Sequence, residues 1–160
     1  MDYSSKFLEE FEVVGISVRT TNQNSQSEKD IGSLWQRFTD GNMAAQINDR
    51  ISEDIYCVYT EYESDHTDFY TAILGCKIKT SGSELSPGFV KVNMPAGSYR
   101  IYKPEGKFPE NVANAWREIW QTNIPRQYTA DFDLYKAGAA SFEKTEVEIY
   151  LAVNEMEKPL

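Results

Sequence analysis

The sequence is short of the residues that build most catalytic and metal centres. Its 160 residues hold one histidine and two cysteines. The histidine, His66, lies in the polar stretch Glu63–Asp68, which reads as a hairpin turn with no nucleophile nearby in sequence. Cys57 and Cys76 fall in strand-like segments, and their number and spacing fit neither a disulfide framework nor a zinc site. A reduced, cytoplasmic chain is the expectation. No apolar run approaches the roughly 18–20 residues of a membrane span. Met1–Glu10 carries charges where a secretory signal would have an apolar core. There is no P-loop, no Rossmann glycine pattern, no G-x-S-x-G and no metal-ligand cluster, so no cofactor and no metal are expected. Gly138-Ala139-Ala140 reads as a turn, not as a phosphate cradle.

Positive charge is also scarce. Lys and Arg number 16 against 25 Asp and Glu, a formal net charge of −9. Such a surface repels phosphate backbones, so direct nucleic-acid binding is not expected. It favours solubility and attracts cationic ligands. What the chain has in plenty is aromatic side chains: ten Tyr, eight Phe and three Trp, 13% of the residues. Most must pack a core. The surplus of Tyr, apolar along its ring and polar at its tip, also suits a pocket for flat organic ligands.

The order of elements repeats. Phe11–Thr20 reads as a strand rich in β-branched residues. After the polar Thr21–Gln26, Ser27 is a candidate N-cap. Ile31, Leu34, Trp35 and Phe38 then recur at helical spacing. Met43–Asp54 reads as a loop with a short helical turn. Ile55–Tyr62 and Phe69–Thr80 read as a strand hairpin, and Ser81–Gly88 as a connector between two halves. Phe89–Met94 is a short strand, which Pro95-Ala96-Gly97 interrupts and Ser98–Lys103 resumes. Pro109 suits the first turn of a second helix, with Val112, Trp116, Ile119 and Trp120 as its apolar stripe. Asp131–Lys136 and Val147–Val153 are the last strands, and the tail Asn154–Leu160 reads as frayed. Strand, helix, strand, strand thus occurs twice, in halves of about 11–80 and 89–153 of one domain over 1–160. Overlaying the halves puts Tyr59 on Tyr135 and Cys57 on Asp133. The expected fold is α+β: tandem β-α-β-β modules with pseudo-two-fold symmetry, an antiparallel sheet with two helices on one face, and a central cleft.

Six segments in this order carry a family resemblance. They are Ile31-Gly-Ser-Leu-Trp-Gln-Arg-Phe38, Tyr56-Cys-Val-Tyr59, Met94-Pro-Ala-Gly-Ser-Tyr99 followed by Gly106, Ala115-Trp-Arg-Glu-Ile-Trp120, Asp131-Phe-Asp-Leu-Tyr135, and Val147-Glu-Ile-Tyr-Leu-Ala-Val153. Across about Phe11 to Asn154 the chain resembles the GyrI-like small-molecule-binding domains, the effector-binding domains of AraC-type and MerR-type transcription activators. The resemblance implies paired β-α-β-β modules. It also implies a cleft with stacked aromatics and a buried carboxylate for cationic, aromatic compounds. The family's usual Asp-Phe-Glu-x-Tyr has Asp133 in place of its Glu here, one methylene shorter. Cys57 and Ala152 stand where Gly and Pro are common in the family. Many relatives attach a helix-turn-helix. Here the match starts near Phe11, so a stand-alone binder is expected.

Strand alternation places Asp131, Asp133 and Tyr135 on one face and Phe132 and Leu134 on the other. The apolar pair is expected to pack against the helices, leaving Asp133 and Tyr135 to the cleft. Glu148 and Tyr150 share a face opposite Ile149 and Leu151. The candidate ligand-binding residues are therefore Asp133, Tyr135, Tyr150, Tyr59, Glu148, Trp35, Trp116 and Trp120. A carboxylate among ring faces attracts an organic cation by charge and by cation–π contacts of about 0.5–2 kcal/mol each. The plainer assignments are a surface carboxylate for Asp133, a surface charge for Glu148, cross-strand surface pairs for Tyr135 and Tyr150, and core packing for the tryptophans. Three functions are open: a sensing or sequestering small-molecule binder; a hydrolase of electrophilic compounds, for which the resemblance implies Asp133 as base or water-positioner and Tyr135 or Tyr150 as acid; or a protein-interaction role, such as gyrase inhibition or partnership with a separate regulator.

Overall fold

The computed structural model describes residues 1–79 and 84–154. Ser81, Gly82 and Ser83 of the expected connector, and residues 155–160 of the expected tail, lie outside the described residues. Among those described, eight strands form one antiparallel sheet: β1 (Ser4–Leu8), β2 (Phe11–Thr21), β3 (Ile55–Thr60), β4 (Phe69–Ile78), β5 (Val90–Met94), β6 (Gly97–Tyr102), β7 (Ala130–Tyr135) and β8 (Val147–Val153). Two helices, α1 (Gln26–Asp40) and α2 (Glu110–Gln121), join β2 to β3 and β6 to β7. The strand order is β1-β6-β8-β7-β3-β4-β2-β5. It is unchanged when β1, β2, β3 and β4 are exchanged with β5, β6, β7 and β8. The expected α+β fold with a pseudo-two-fold between β3 and β7 is therefore present.

The axis falls at a definite place. The overlay of the halves equates Cys57 with Asp133, and in the β3–β7 ladder these two residues are paired directly. Ile16, Leu74, Cys57, Asp133, Ile149 and Tyr102 lie in one row across six strands. Asp133 is the one charged member of that row.

Both helices pack on the face that this row occupies. From α1, Leu34 and Phe38 pack with Val14, Ile16 and Leu74. From α2, Ala115 and Ile119 pack with Ile149, Leu151 and Val153. The helices thus sit over opposite ends of the sheet and leave a cleft between them above β3 and β7, where only their side chains reach in. The cap of α1 differs from the expectation: Ser25, in a left-handed conformation, precedes the helix, and Ser27 is buried inside the first turn.

The other face carries a second core. Here lie Phe132 and, at its margin, Leu134, with Phe11, Tyr56, Val58 and Tyr99. This corrects the expectation that Phe132 and Leu134 pack against the helices. The sheet supplies its own cover by curving. Phe11 on β2 is three strands from Phe132 on β7 and six residues out of register with it, roughly 25 Å on a flat sheet, yet their ring centroids are 5.6 Å apart. The same curvature corrects the reading of Ser98–Lys103 as a resumption of the preceding strand. β5 pairs with β2 and β6 pairs with β1 and β8, near opposite ends of the sheet. Pro95-Ala96, where the proline has no N–H to give a ladder, spans the gap between the converging ends.

Candidate functional site

The cleft between α1 and α2 is a cavity of about 930 Å³. That is room for a drug-sized organic molecule. Its floor is Asp133, which is 1% exposed. The Tyr59 hydroxyl donates to Asp133 Oδ2 at 2.6 Å, and the Trp116 indole N–H donates to Oδ1 at 3.0 Å. The Tyr135 hydroxyl makes a long contact with Oδ2 at 3.5 Å. Tyr59 and Tyr135, equivalent in the two halves, thus flank the carboxyl on the axis. Each is braced by a tryptophan from the opposite half. Trp35 of α1 meets Tyr135 edge-on at 4.8 Å, and Trp116 of α2 meets Tyr59 edge-on at 5.3 Å.

Burial pushes the Asp133 carboxyl up to about 7, the nearby Asp131 adds to the rise, and the three donors oppose it. Burial, followed by the charge of Asp133, holds the Tyr59 and Tyr135 hydroxyls well above the usual phenol range. The carboxyl therefore titrates near neutral pH, while its neighbours remain hydrogen-bond donors.

Six of the eight sequence candidates line this one cavity: Asp133, Tyr135, Tyr59, Trp35, Trp116 and Trp120. Glu148 and Tyr150 do not. They lie on the curved face, where Tyr150 stacks on Phe132 at 4.4 Å and donates to Glu148 at 3.1 Å. Glu148 also pairs with Lys103 at 3.6 Å and Lys136 at 3.4 Å. This corrects their placement in the cleft. The alternation along β8 was right, but both faces of the sheet are buried, so apolar residues did not mark the helix side.

A second polar group lies beside the cavity, where Tyr62 and Arg126 line the wall and meet Asp131 behind it. Asp131, fully buried, accepts from Tyr62 at 2.6 Å, from Arg126 Nη2 at 2.8 Å and from the Ala152 backbone N–H at 2.8 Å. The Arg126 guanidinium lies 4.3 Å over the Tyr128 ring and 5.8 Å from the centre of the Trp116 ring. His66 also lines the cavity, stacked on Trp120 at 5.9 Å. Burial, then the Arg126 charge, lowers its pKa. Asp131 shared a strand face with Asp133 in the sequence. Arg126 sits in an irregular loop, where no periodicity could point to it.

Among the described residues no group of three or more His, Cys, Asp or Glu could hold a metal ion, and no helix is long and apolar enough to cross a membrane.

Comparison with known proteins places this geometry. The Bacillus subtilis (strain 168) protein YobU, described as a candidate transcriptional regulator, is 29% identical over 145 residues, covering 87% of this chain and 89% of that protein. The integron cassette protein VCH_CASS2, from the mobile metagenome of Vibrio cholerae, is 32% identical with a TM-score of 0.73, over 95% of each chain. The structure of SAV2435 bound to tetraphenylphosphonium has a TM-score of 0.75 at 20% identity, over 97% of this chain and 95% of that one. The profile of the Cass2 integron-associated effector binding proteins matches residues 6–153. The resemblance to effector-binding domains read from the sequence thus holds over nearly the whole chain, and the protein belongs to the Cass2 family of integron-associated effector binding proteins.

Proposed function

We propose that the protein captures cationic or amphipathic aromatic compounds in the cleft between α1 and α2, so as to sense or sequester them. The observation that carries this reading is Asp133: a carboxyl on the cavity floor, enclosed by tyrosine and tryptophan rings and poised to ionise near neutral pH. In the empty cleft the neutral acid avoids a costly buried charge. An entering cation supplies the missing counter-charge and draws out the carboxylate, and ring faces add cation–π attraction. Capture of tetraphenylphosphonium, an aromatic permanent cation, by SAV2435 is in keeping with this reading. The unpaired, buried cysteines suit the cytoplasm. A captured ligand is sensed where it alters a surface that a separate regulator reads, and sequestered where it does not.

Tryptophan fluorescence tests the reading directly, because all three tryptophans of the chain line the cavity. A panel of cationic and neutral aromatic dyes is expected to give saturable quenching that favours the cations. Asp133→Asn is expected to weaken the cations by about tenfold or more and leave the neutral dyes unchanged. A folded protein that binds no member of the panel contradicts the proposal.

A further inference from the structure

The cavity runs along α2. Val112, Trp116 and Trp120, four residues apart on that helix, all line it, a span of about 12 Å. Trp116, the middle one, donates to Asp133, so the acid sits near the midpoint and not at an end. Rings continue the wall in both directions. Towards the start of α2, Phe108 meets Tyr135 edge-on at 6.1 Å and Phe142 at 4.8 Å. Towards its end, Trp116 leads to Trp120 at 6.5 Å, and Trp120 to His66 at 5.9 Å. His66 and Phe142 lie on the β3–β4 and β7–β8 connections, which the pseudo-two-fold makes equivalent. Each half thus extends one ring to one end of the cavity.

The two end rings differ. His66 is half-buried, and the Asn22 side-chain amide donates to its carbonyl at 2.9 Å. Phe142 is 67% exposed, the most exposed large hydrophobic residue among those described, and of the exposed ones it alone lines the cavity. Beside the Phe108 edge, its connection is tied there by Lys107–Glu143 at 3.2 Å, an exposed pair that contributes little. A ring left mostly in water gains by being covered, and an aromatic group at this end of the cavity would cover it.

We propose that Phe142 is a specificity-determining residue of the cleft, closing on an aromatic group of the ligand, so that preferred ligands carry their charge between two aromatic groups, one on either side of Asp133. The position of the acid sets the position of the charge. Asp133 is the buried carboxyl of the lining, where a counter-charge is felt most strongly. The other carboxylates of the lining, Glu28, Asp40 and Glu110, are exposed, and water screens them. A cation at the His66 end would approach Arg126, whose charge is already felt by that histidine. With the charge held at the middle, a ligand with one ring fills one arm of the cavity, and a ligand with a ring on each side fills both. The inference deepens the proposed function and rests on the cleft being the ligand site.

A pair of isomeric probes tests it. Dibenzyldimethylammonium carries its charge between two rings. (Biphenyl-4-ylmethyl)trimethylammonium has the same formula and charge, with both rings on one side. Each is titrated against tryptophan fluorescence, with tetraphenylphosphonium as control. The wild type is expected to bind the dibenzyl isomer roughly tenfold more tightly than the biphenyl isomer. Phe142→Ala, at an exposed position where the fold is not at stake, is expected to bring the isomers within about twofold of each other by weakening the dibenzyl isomer. Phe142→Tyr keeps the ring and is expected to keep the preference. Equal affinities in the wild type, or tighter binding of the biphenyl isomer, overturns the proposal. So does a preference that survives Phe142→Ala, or one that Phe142→Tyr loses as fully as Phe142→Ala. Should tetraphenylphosphonium still bind in an Asp133-dependent way, the cleft reading stands and only the role of Phe142 falls. If neither control nor probes bind, both fall.

Discussion

Cys57 and Asp133 face each other across the β3–β7 ladder at the pseudo-two-fold axis of the sheet. They are equivalent positions in the two halves, yet one is a small apolar residue and the other an acid. Both side chains are almost fully buried. Two ionised carboxyls could not share that place without strong repulsion. The symmetry of the fold brings two tyrosines and two tryptophans around the axis, and this asymmetry leaves them a single acid to serve.

Restoring the symmetry of charge tests that point. Cys57→Asp is expected to destabilise the folded protein by about 3 kcal/mol at pH 8. At pH 5, where the pair holds its protons, the loss is expected to shrink markedly. Chemical denaturation at the two pH values measures it. Equal losses at both would show that volume, not charge, decides the residue at Cys57.

The raised Asp133 pKa has a defined sign in stability. The folded state holds this proton up to about pH 7, whereas an unfolded aspartate loses it near the ordinary value of 3.8. Between those limits the folded state binds more protons, so Asp133 costs stability as pH rises from about 4 to 7 and no more beyond. The wild type is expected to lose on the order of 2–4 kcal/mol relative to Asp133→Asn over that window. Melting both proteins from pH 4 to 8 checks the difference in slope. Parallel curves would show an ordinary carboxylate.

The two tyrosines on Asp133 are unequal, and so are their expected effects. Tyr59 donates at 2.6 Å, while Tyr135 stands at 3.5 Å. Tyr59→Phe is expected to cost about 1–2 kcal/mol of stability, and to raise the carboxyl pKa further. Tyr135→Phe is expected to change both by less than half as much. Thermal melts and the pH dependence of cation binding compare them.

Placement on the curved face gives a negative control. Glu148→Gln and Tyr150→Phe are expected to leave cation affinity in the cleft within about twofold, because these side chains satisfy each other on the far side of the sheet. A tenfold loss in either variant, with the fold intact, would put a ligand contact on that face.

Much of this architecture was legible in the residues. Ile31, Leu34, Trp35 and Phe38 recur at helical spacing, and the order of elements repeats, so the helices, strands and pseudo-symmetry follow from pattern. Asp133 was legible because alternation sets it on one face with Tyr135 and because it stands where the resembling family has the Glu of Asp-Phe-Glu-x-Tyr. The facing of the sheet was not. In a sheet with one wet face, alternation identifies the core side, but here Phe132 and Leu134 have a core of their own beneath the curvature. Apolarity therefore says nothing about which side the helices cover, and Glu148 and Tyr150 were assigned to the wrong one. Arg126 was illegible for another reason. It belongs to an irregular loop, and its significance lies in a long-range meeting with Tyr62, 64 residues away, and Trp116.

The most direct test of the central claim is calorimetric titration of tetraphenylphosphonium into the wild type and Asp133→Asn at pH 6, 7 and 8, in buffers of different ionisation enthalpy. A carboxyl with a pKa near 7 in the empty cleft predicts that wild-type affinity rises with pH and levels off near pH 8. It also predicts that up to one proton is released per cation bound at pH 6. Asp133→Asn should show weak, pH-independent binding with no such release. Tight binding in that variant, or wild-type binding without a proton leaving, would contradict the account.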